Sequence, residues 1–321
     1  MSKSLQERLG KLPVVNAVTE FLKKIKLPGF EGLSLYDLLE LYVLGIAKGA
    51  LTTRASAIAF SFFTAIFPFL LFIIIVIPYI PIDNFQNAFL DFLNSFLPPQ
   101  TSGFFEENIF QNINQNSGGG LLSSVFVLSI LLMANGVNAV FSGFESSYHE
   151  QLVRNVFKQY LFAVGIALIL AFLLLLTVAV FGYFQIYIIT PLYERFVGDN
   201  VILDQSSLAW VLFAKYVFFV IMAYLATATL YYFGTKEGRQ SKFFSVGALL
   251  TTVLIMITSY LFGLYIDNFS QYNELYGSIG ALLILLFYLW LNSNILLLGY
   301  ELNASLQYLR KHPLKKEDEI V

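Results

Sequence analysis

One uncharged segment, Gly277–Tyr300, constrains this chain more than any other part of its sequence. An α-helix needs about 20 consecutive apolar residues to cross the hydrocarbon core of a bilayer. A second uncharged segment, Phe243–Ile266, precedes it, and the short polar stretch Asp267–Tyr276 connects the two. The sequence here predicts a helical hairpin that crosses a membrane twice, with its polar tip on one side.

Four further apolar segments precede the hairpin, and together they set the fold class. The chain is 57% hydrophobic and only 12% charged, whereas soluble domains carry about 25% charged residues. Its 33 phenylalanines and 19 tyrosines are more aromatic surface than a soluble core of this length would bury, so lipid must cover part of it. We therefore predict an all-α integral membrane protein with six transmembrane helices. The predicted spans are about 55–82, 121–144, 159–189, 208–233, 243–266 and 277–300.

The remaining segments flank or connect these spans. Residues 1–32 are polar and basic and predict an N-terminal cytosolic tail, followed by a membrane domain over 33–306 and a charged tail over 307–321. Apolar residues at three- and four-residue spacing predict an amphipathic interfacial helix over 33–54, which lies on lipid or packs under the bundle. A similar pattern predicts a second interfacial helix over 85–96, and the Asn- and Gly-rich run 111–120 predicts a flexible connector.

The distribution of basic residues predicts the orientation of the spans. All but two of the 19 lysines and arginines fall on the side that holds both termini. The exceptions are Arg195 on the opposite side and Lys215 within the fourth span. Because cytoplasmic flanks of membrane proteins are rich in Lys and Arg, both termini are predicted to be cytosolic, N-in and C-in.

Three segments of the chain resemble one known family. They are RASAIAFSFFTAIFPFLL (Arg54–Leu71), YYFGTKEGRQSKFFSVGALLTTVL (Tyr231–Leu254) and NFSQYNELYGSIGALLILLFYLWLNSNILLLGYELNASL (Asn268–Leu306). Together they resemble the YihY/BrkB family of bacterial inner-membrane proteins, over roughly residues 41–306. The resemblance implies a six-helix protein of the bacterial inner (cytoplasmic) membrane. Export or lipid transport has been suggested for some members, and others carry the label ribonuclease BN, which we regard as misassigned.

The residue inventory argues against an enzyme. The chain has no cysteine, which removes disulfides, thiolate catalysis and cysteine-based metal sites. Its two histidines, His149 and His312, have no cluster of acidic residues around them in the sequence, as a metal-dependent nuclease would require. We therefore expect no catalytic residues, no metal, no cofactor and no nucleic-acid partner.

Lys215 is the sharpest single candidate for a functional residue, because it is the one charged side chain inside a predicted span. A charge at the bilayer centre costs about 2.5–3.5 kcal/mol on insertion scales. Two interpretations stay open: the side chain extends to the nearby headgroups, or it faces an internal cavity and binds an anionic headgroup. Asp204 and Asp267 are its candidate partners in the second case.

A second group of candidates lies at the predicted cytosolic boundary. Arg54 opens the first span and Glu301 closes the last, with Asn292 and Asn303 on or near the end of that span. These residues form either a structural salt bridge with helix-bonding amides or a polar gate for a substrate. Asn135, next to Gly136 in the second span, either packs against a neighbouring helix or breaks its own helix and lines a cavity.

Two functions from different classes follow. The favoured hypothesis is transport, flipping or export of a lipid or amphipathic anion, with membrane lipids as partners. It rests on the lone span lysine, the proline (Pro68) expected to kink the first span, and the boundary polar cluster. The alternative is a non-transporting membrane scaffold or envelope assembly factor, in which all polar residues in the spans serve helix contacts. The sequence indicates no oligomeric state.

The predicted topology can be tested with single cysteines, since the natural chain has none. Cysteine in place of Ser4 or Lys315 should be protected from a membrane-impermeant maleimide in intact cells and labelled after permeabilisation. Cysteine in place of Asp199 should be labelled in intact cells, because its loop is predicted on the opposite side. Labelling of the Ser4 and Lys315 positions from different sides would contradict a fold with six spans.

Overall fold

The computed structural model describes residues 13–26, 34–36, 39–40, 50–76, 119–145, 156–189, 205–234, 242–269 and 278–311. Within these ranges the chain is almost entirely helical, and a single antiparallel bridge pairs Lys26 with Ser34. The helices are α1 Pro13–Lys24, α2 Ala50–Val76, α3 Gly119–Glu145, α4 Val156–Tyr183, α5 Gln205–Gly234, α6 Val246–Phe269 and α7 Ser278–Lys311. A π-helical turn, Phe184–Ile189, continues α4.

Six of these helices, α2 to α7, are long and apolar enough to cross a membrane. The qualifying segments are Leu51–Leu70, Phe126–Glu145, Phe157–Tyr183, Tyr216–Gly234, Val246–Ile266 and Leu282–Gln307. The prediction of an all-helical membrane protein with six spanning helices is confirmed to this extent. In hydrocarbon, a helix satisfies its backbone hydrogen bonds within one segment, which is why these apolar runs adopt it.

The first spanning helix differs from the prediction at its start. Helix α2 begins at Ala50 and runs without interruption through Pro68, so Arg54 lies on its second turn and not on a separate interfacial helix. Leu51 is buried at 2% exposure, and no proline or glycine separates it from Ala55, so the helix extends beyond the uncharged run. Of the predicted interfacial helix, residues 37–38 and 41–49 lie outside the described part.

The last two spanning helices also have different bounds from those predicted. Helix α6 begins at Val246 because the Ser245 hydroxyl accepts the backbone N–H of Ala248 at 3.2 Å and caps its first turn. Helix α7 continues beyond the predicted end of its span to Lys311. Its extension buries Leu302 and Leu306 against the start of α6, and this packing, which a count of uncharged residues does not register, stabilises the additional turns.

The predicted N-terminal tail contains a helix that the sequence analysis did not anticipate. Helix α1, Pro13–Lys24, has 12 residues, a length at which an isolated helix is marginal in water. Several other predicted features lie outside the described residues: the second interfacial helix, Arg195, Asp204, His149, His312 and positions 111–118 of the Asn- and Gly-rich connector. The last two residues of that predicted connector, Gly119 and Gly120, begin α3 instead.

The six spanning helices alternate in direction, as hydrogen bonds between their ends show. These bonds are Arg54–Gly143 (start of α2, end of α3), Gln159–Ser142 (start of α4, end of α3), Arg54–Glu301 (start of α2, end of α7), Tyr231–Thr251 (end of α5, start of α6) and Gly247–Asn303 (start of α6, end of α7). The starts of α2, α4 and α6 and the ends of α3, α5 and α7 therefore share one end of the bundle, which we call the base.

Side-chain burial is uneven along the bundle and greatest at the base. The largest fully buried side chains are Phe141, Phe144, Ile58, Leu297, Leu302, Val140, Thr251 and Thr252. Toward the opposite end, α5 and α6 expose large apolar side chains, including Trp210, Phe213, Tyr216, Tyr260 and Leu261. Acyl chains are apolar and accept such a surface without the cost it has in water. The helices thus pack closely at the base and present apolar surface over the other half.

The closest helix contact at the base is between α6 and α7, at Gly247 and Gly299. A β-carbon on Gly299 would collide with the Thr251 hydroxyl and come within 2.6 Å of the Tyr231 hydroxyl. A β-carbon on Gly247 would collide with the carbonyl oxygen of Gly299. Small residues at facing positions let two backbones approach in this way.

Replacing Gly299 with Ala should destabilise the protein by about 1–3 kcal/mol, because the new methyl overpacks a filled contact. Gly263, on the same helix as Gly247, is the matched control, since no atom lies within 4 Å of its β-carbon position. Gly263→Ala should be neutral or slightly stabilising, as alanine favours helix. Thermal unfolding in detergent measures both variants, and equal stability of the two would contradict the close contact.

Candidate functional site

A cavity of about 250 Å³ lies between α2, α3 and α4, with one side chain from α7. Its lining residues are Phe62, Ala65, Ile66, Phe69, Met133, Val137, Ala167, Leu170, Ala171, Leu174 and Leu289. No lining side chain is polar or charged. Such a space fits a hydrocarbon chain and excludes a bare ion, whose transfer into apolar surroundings carries a large penalty.

Small residues explain why space remains at this place. Ala65, Ala167 and Ala171 present methyl groups where larger side chains would fill the gap. Gly136 lets α3 approach α2, since its β-carbon position is only 3.3 Å from the Phe62 ring. The helix backbones are thus held close on one side of the cavity, while the alanines leave room on the other.

The cavity is separated from the base by packed side chains. Ile58 lies one turn before Phe62 on α2, and Val140 lies one turn after Val137 on α3. Both are fully buried at 0% exposure. The cavity therefore lies near the middle of the bundle, beyond this packed layer.

The predicted boundary pair Arg54 and Glu301 forms a salt bridge at the base. Arg54 Nη2 donates to Glu301 Oε1 at 2.9 Å, and Arg54 Nη1 donates to the carbonyl oxygen of Gly143 at 2.9 Å. The two side chains are 13% and 10% exposed. One guanidinium therefore links α2, α3 and α7, which is the first of the two interpretations that the sequence left open.

Asn303, another predicted site residue, binds the start of α6. Its Oδ1 accepts the backbone N–H of Gly247 at 2.8 Å, and its Nδ2 donates to the Ser245 hydroxyl at 2.8 Å. The first N–H groups of a helix have no partner within that helix. The Asn303 side chain supplies a partner for the Gly247 N–H from a neighbouring helix. It lies in the contact region between Gly247 and Gly299.

Asn292 and Asn135 occupy different surroundings. The Asn292 amide donates to the carbonyl of Tyr288 at 2.9 Å, and its buried Oδ1 has no hydrogen-bond partner among the described residues. Asn135 is exposed on α3 and is not among the residues that line the cavity. Helix α3 is continuous past Gly136, so it does not break there, which was one of the two alternatives that the sequence left open. Gly136 packs against α2.

Lys215 lies on α5, but its side chain and that of Asp267 lie outside the described part of the structure. The helix position alone is informative. Gly234 is the basal end of α5, and Ala50 is the basal end of α2. Lys215 is as many residues from Gly234 as Phe69 is from Ala50. At 1.5 Å per residue, both positions are about 28 Å from the base along their helices. Lys215 is therefore level with the far end of the cavity.

Sequence reasoning missed a cluster centred on Tyr231. Its hydroxyl makes hydrogen bonds of 2.6 Å with the Thr251 hydroxyl and, as donor, with the Leu296 carbonyl. Phe144 stacks on Tyr300 with ring centroids 4.1 Å apart, and both rings contact that of Tyr231. In the sequence, each of these three residues is an ordinary aromatic residue of an apolar segment. Only the contact among their rings, which come from α3, α5 and α7, identifies the cluster.

The described ranges contain no group of three or more His, Cys, Asp or Glu residues that could hold a metal ion.

Comparison with known proteins gives consistent matches over most of the chain. Residues 45–320 match the family described as virulence factor BrkB. The ribonuclease-like protein YfkH of Bacillus subtilis (strain 168) is 27% identical over 263 residues, which are 81% of this chain and 92% of YfkH. UPF0761 membrane proteins of Xanthomonas axonopodis pv. citri (strain 306) and Xanthomonas oryzae pv. oryzae (strain MAFF 311018) are 40% identical over 67 residues, only 21% of this chain and 16% of theirs. No solved structure matches the chain.

The salt bridge predicts an asymmetry between single and double variants. Arg54→Leu leaves the Glu301 carboxylate without its guanidinium in a poorly hydrated place and should destabilise the protein by about 3 kcal/mol. Arg54→Leu combined with Glu301→Leu should cost less, because neither member of the ion pair is then left without the other. Ser56→Leu, on the exposed side of α2, is the control and should change stability by less than about 0.5 kcal/mol. Thermal unfolding in detergent would contradict this account if the double variant were the least stable.

Proposed function

The chain belongs to the BrkB family of membrane proteins, and on that premise we propose that it binds a membrane lipid or another amphipathic anion and moves it across the bilayer. The observation that carries the proposal is the apolar cavity between α2, α3 and α4. Its lining offers no hydrogen-bond partner to a hydrated solute, whereas an acyl chain needs none. Ligand sites that bury mainly apolar surface have this composition.

The proposal assigns the lipid headgroup to the level of Lys215. That residue and Phe69 both lie about 28 Å from the base, so a lipid with its phosphate near Lys215 would direct an acyl chain into the cavity toward the base. An ammonium group at intermediate depth attracts a phosphate more strongly than it would in water, because screening is weaker there. Because the Lys215 ammonium is positively charged, the proposed substrate is an anion.

The base has a different role in this proposal. Its helices are joined by Arg54–Glu301, by Asn303 and by Tyr231, and its side chains fill the space between them. We propose that this end stays closed while the half with the cavity admits lipid from the surrounding membrane. Arg54 and Glu301 then hold the closed end and do not themselves contact substrate.

A scaffold or envelope assembly factor is the second candidate, and one observation favours it. Hydroxyl and amide groups at the base are engaged in helix contacts, as that hypothesis requires: Tyr231 with Thr251, and Asn303 with Ser245 and Gly247. A scaffold would need no lipid in the cavity, whereas a transporter fails when the cavity is filled. We expect no ribonuclease activity under either proposal, because the sequence shows no cluster of histidines and acidic residues of the kind that a metal-dependent nuclease requires.

Filling the cavity tests the transport proposal. Ala171→Phe places a ring in the cavity and should reduce the flipping of fluorescent phosphatidylglycerol in proteoliposomes at least tenfold. Ile169→Phe adds a ring on the exposed side of α4, where the residue is 42% exposed, and should leave the rate unchanged. Leu170→Ala enlarges the cavity and should preserve flipping.

Lys215→Leu should abolish flipping with no loss of folded protein, and Lys215→Arg should retain it. Thermal unfolding of each variant separates loss of transport from loss of fold. An unchanged rate in folded Ala171→Phe protein would refute lipid passage through the cavity. No flipping by the wild-type protein in any lipid mixture would favour the scaffold.

A further inference from the structure

Helix α1 is amphipathic, although it precedes the membrane bundle. Val14, Val18 and Leu22 recur every fourth residue, which places them on one side of the helix, and Asn16 and Glu20 fall on the other. Short helices of this kind with a basic polar side lie in the interface plane of a bilayer. The helix thus has the pattern of a membrane-surface element.

Phe21 is the exposed large apolar side chain of α1 among the side chains that the structure describes. It lies toward the apolar side and is 65% exposed. Helix α1 could be an ordinary surface helix of a soluble tail, but such a helix turns its aromatic residue inward. An exposed phenylalanine beside an apolar stripe indicates a surface that is covered by something outside the described chain.

The charge near Phe21 indicates what covers it. Lys23 and Lys24 form the basic last turn of α1, and Lys26 follows; all three are exposed, while Glu20 is the one acidic residue between positions 13 and 26. A cluster of lysines beside an apolar surface is complementary to anionic lipid headgroups over acyl chains. A hydrophobic protein groove would supply no partner for these ammonium groups.

The lysines are held in place by contacts beyond the helix. The backbone N–H of Leu35 donates to the carbonyl of Ile25 at 3.1 Å, within the bridge that pairs Lys26 with Ser34. Lys23 Nζ lies 5.1 Å from the centre of the Tyr36 ring, a favourable cation–π distance. The end of α1 is therefore fixed, and its charges are displayed together.

The chain also keeps α1 near the membrane. Lys26 is paired with Ser34, and the chain from Ser34 to Ala50, the first residue of α2, reaches about 55 Å at full extension. A short amphipathic helix binds a bilayer weakly by itself, and stable attachment takes a second anchor. Here the spanning bundle is that anchor, so modest attraction is sufficient because the effective concentration of lipid is high.

We infer that α1 is a lipid-sensing surface element, in which Phe21 inserts among acyl chains and Lys23, Lys24 and Lys26 bind anionic headgroups of the same membrane. The site is separate from the cavity and independent of the transport proposal. Its ligand is phosphatidylglycerol or a lipid of the same charge, recognised by phosphate charge and by the adjoining hydrocarbon.

Nitroxide labels on the full-length protein test the inference, since single cysteines can be introduced into a chain that has none. Leu22→Cys reports the apolar side of α1, and Glu20→Cys is the matched control on the polar side. Depth is read by electron paramagnetic resonance in nanodiscs of phosphatidylcholine alone and of phosphatidylcholine mixed with phosphatidylglycerol. The label at position 22 should enter the hydrocarbon in the anionic nanodiscs, while the label at position 20 stays in water.

Replacing Lys23, Lys24 and Lys26 together with Gln should lower the ratio of inserted to free α1 by roughly tenfold or more, because each lysine contributes to attraction at an anionic surface. High salt should have the same effect on the natural sequence and little on the triple variant. Equal depth of the Leu22 label in both lipid mixtures would overturn the role of the lysines. Equal shielding of both labels would show that protein, and not lipid, covers the helix.

Discussion

Hydrocarbon offers no hydrogen-bond partner, and the rest of this structure depends on that constraint. The backbone forms its hydrogen bonds within each helix, and several side-chain hydroxyls also bond within their own helix. Thr227, Thr229 and Ser293 each donate to the carbonyl four residues earlier. Few polar groups are then left to join different helices. Most of those described, led by Arg54 and Asn303, lie at the base, where they determine which helices meet. Ser259 and Tyr288 join α6 and α7 farther from the base.

The sizes of the side chains at the helix contacts explain both the close packing at the base and the looser packing beyond it. Glycines at the α6–α7 contact allow backbones to touch, and the Phe144–Tyr300 stack fills the centre. Away from the base, alanines face one another across α2 and α4 and leave the cavity. A bundle fixed at one end can separate its helices at the other with little loss of contact, which suits the entry of an acyl chain.

The candidate site was partly predictable from sequence. Arg54 and Glu301 were identified as a pair because each is the charged residue nearest the end of an apolar run, and such charges seek each other where water is scarce. Asn303 was identified as a residue of interest, but its partners were not, since they are backbone and hydroxyl groups distant in sequence. The position of this cavity and its apolar lining were not predicted, because the lining consists of the same residue types as any lipid-facing surface.

The sequence by itself determined that this chain is a six-helix membrane protein, because a run of apolar residues long enough to cross a bilayer has one stable conformation there. It also determined where charge is concentrated, since every Lys and Arg except Lys215 lies outside those runs. Only the tertiary structure decided that Arg54 lies within the first helix, that Asn303 caps α6, and that space remains between α2, α3 and α4. These features depend on which side chains of different helices contact each other. A hydropathy pattern shows how apolar each position is, but it does not show which residue on another helix that position contacts.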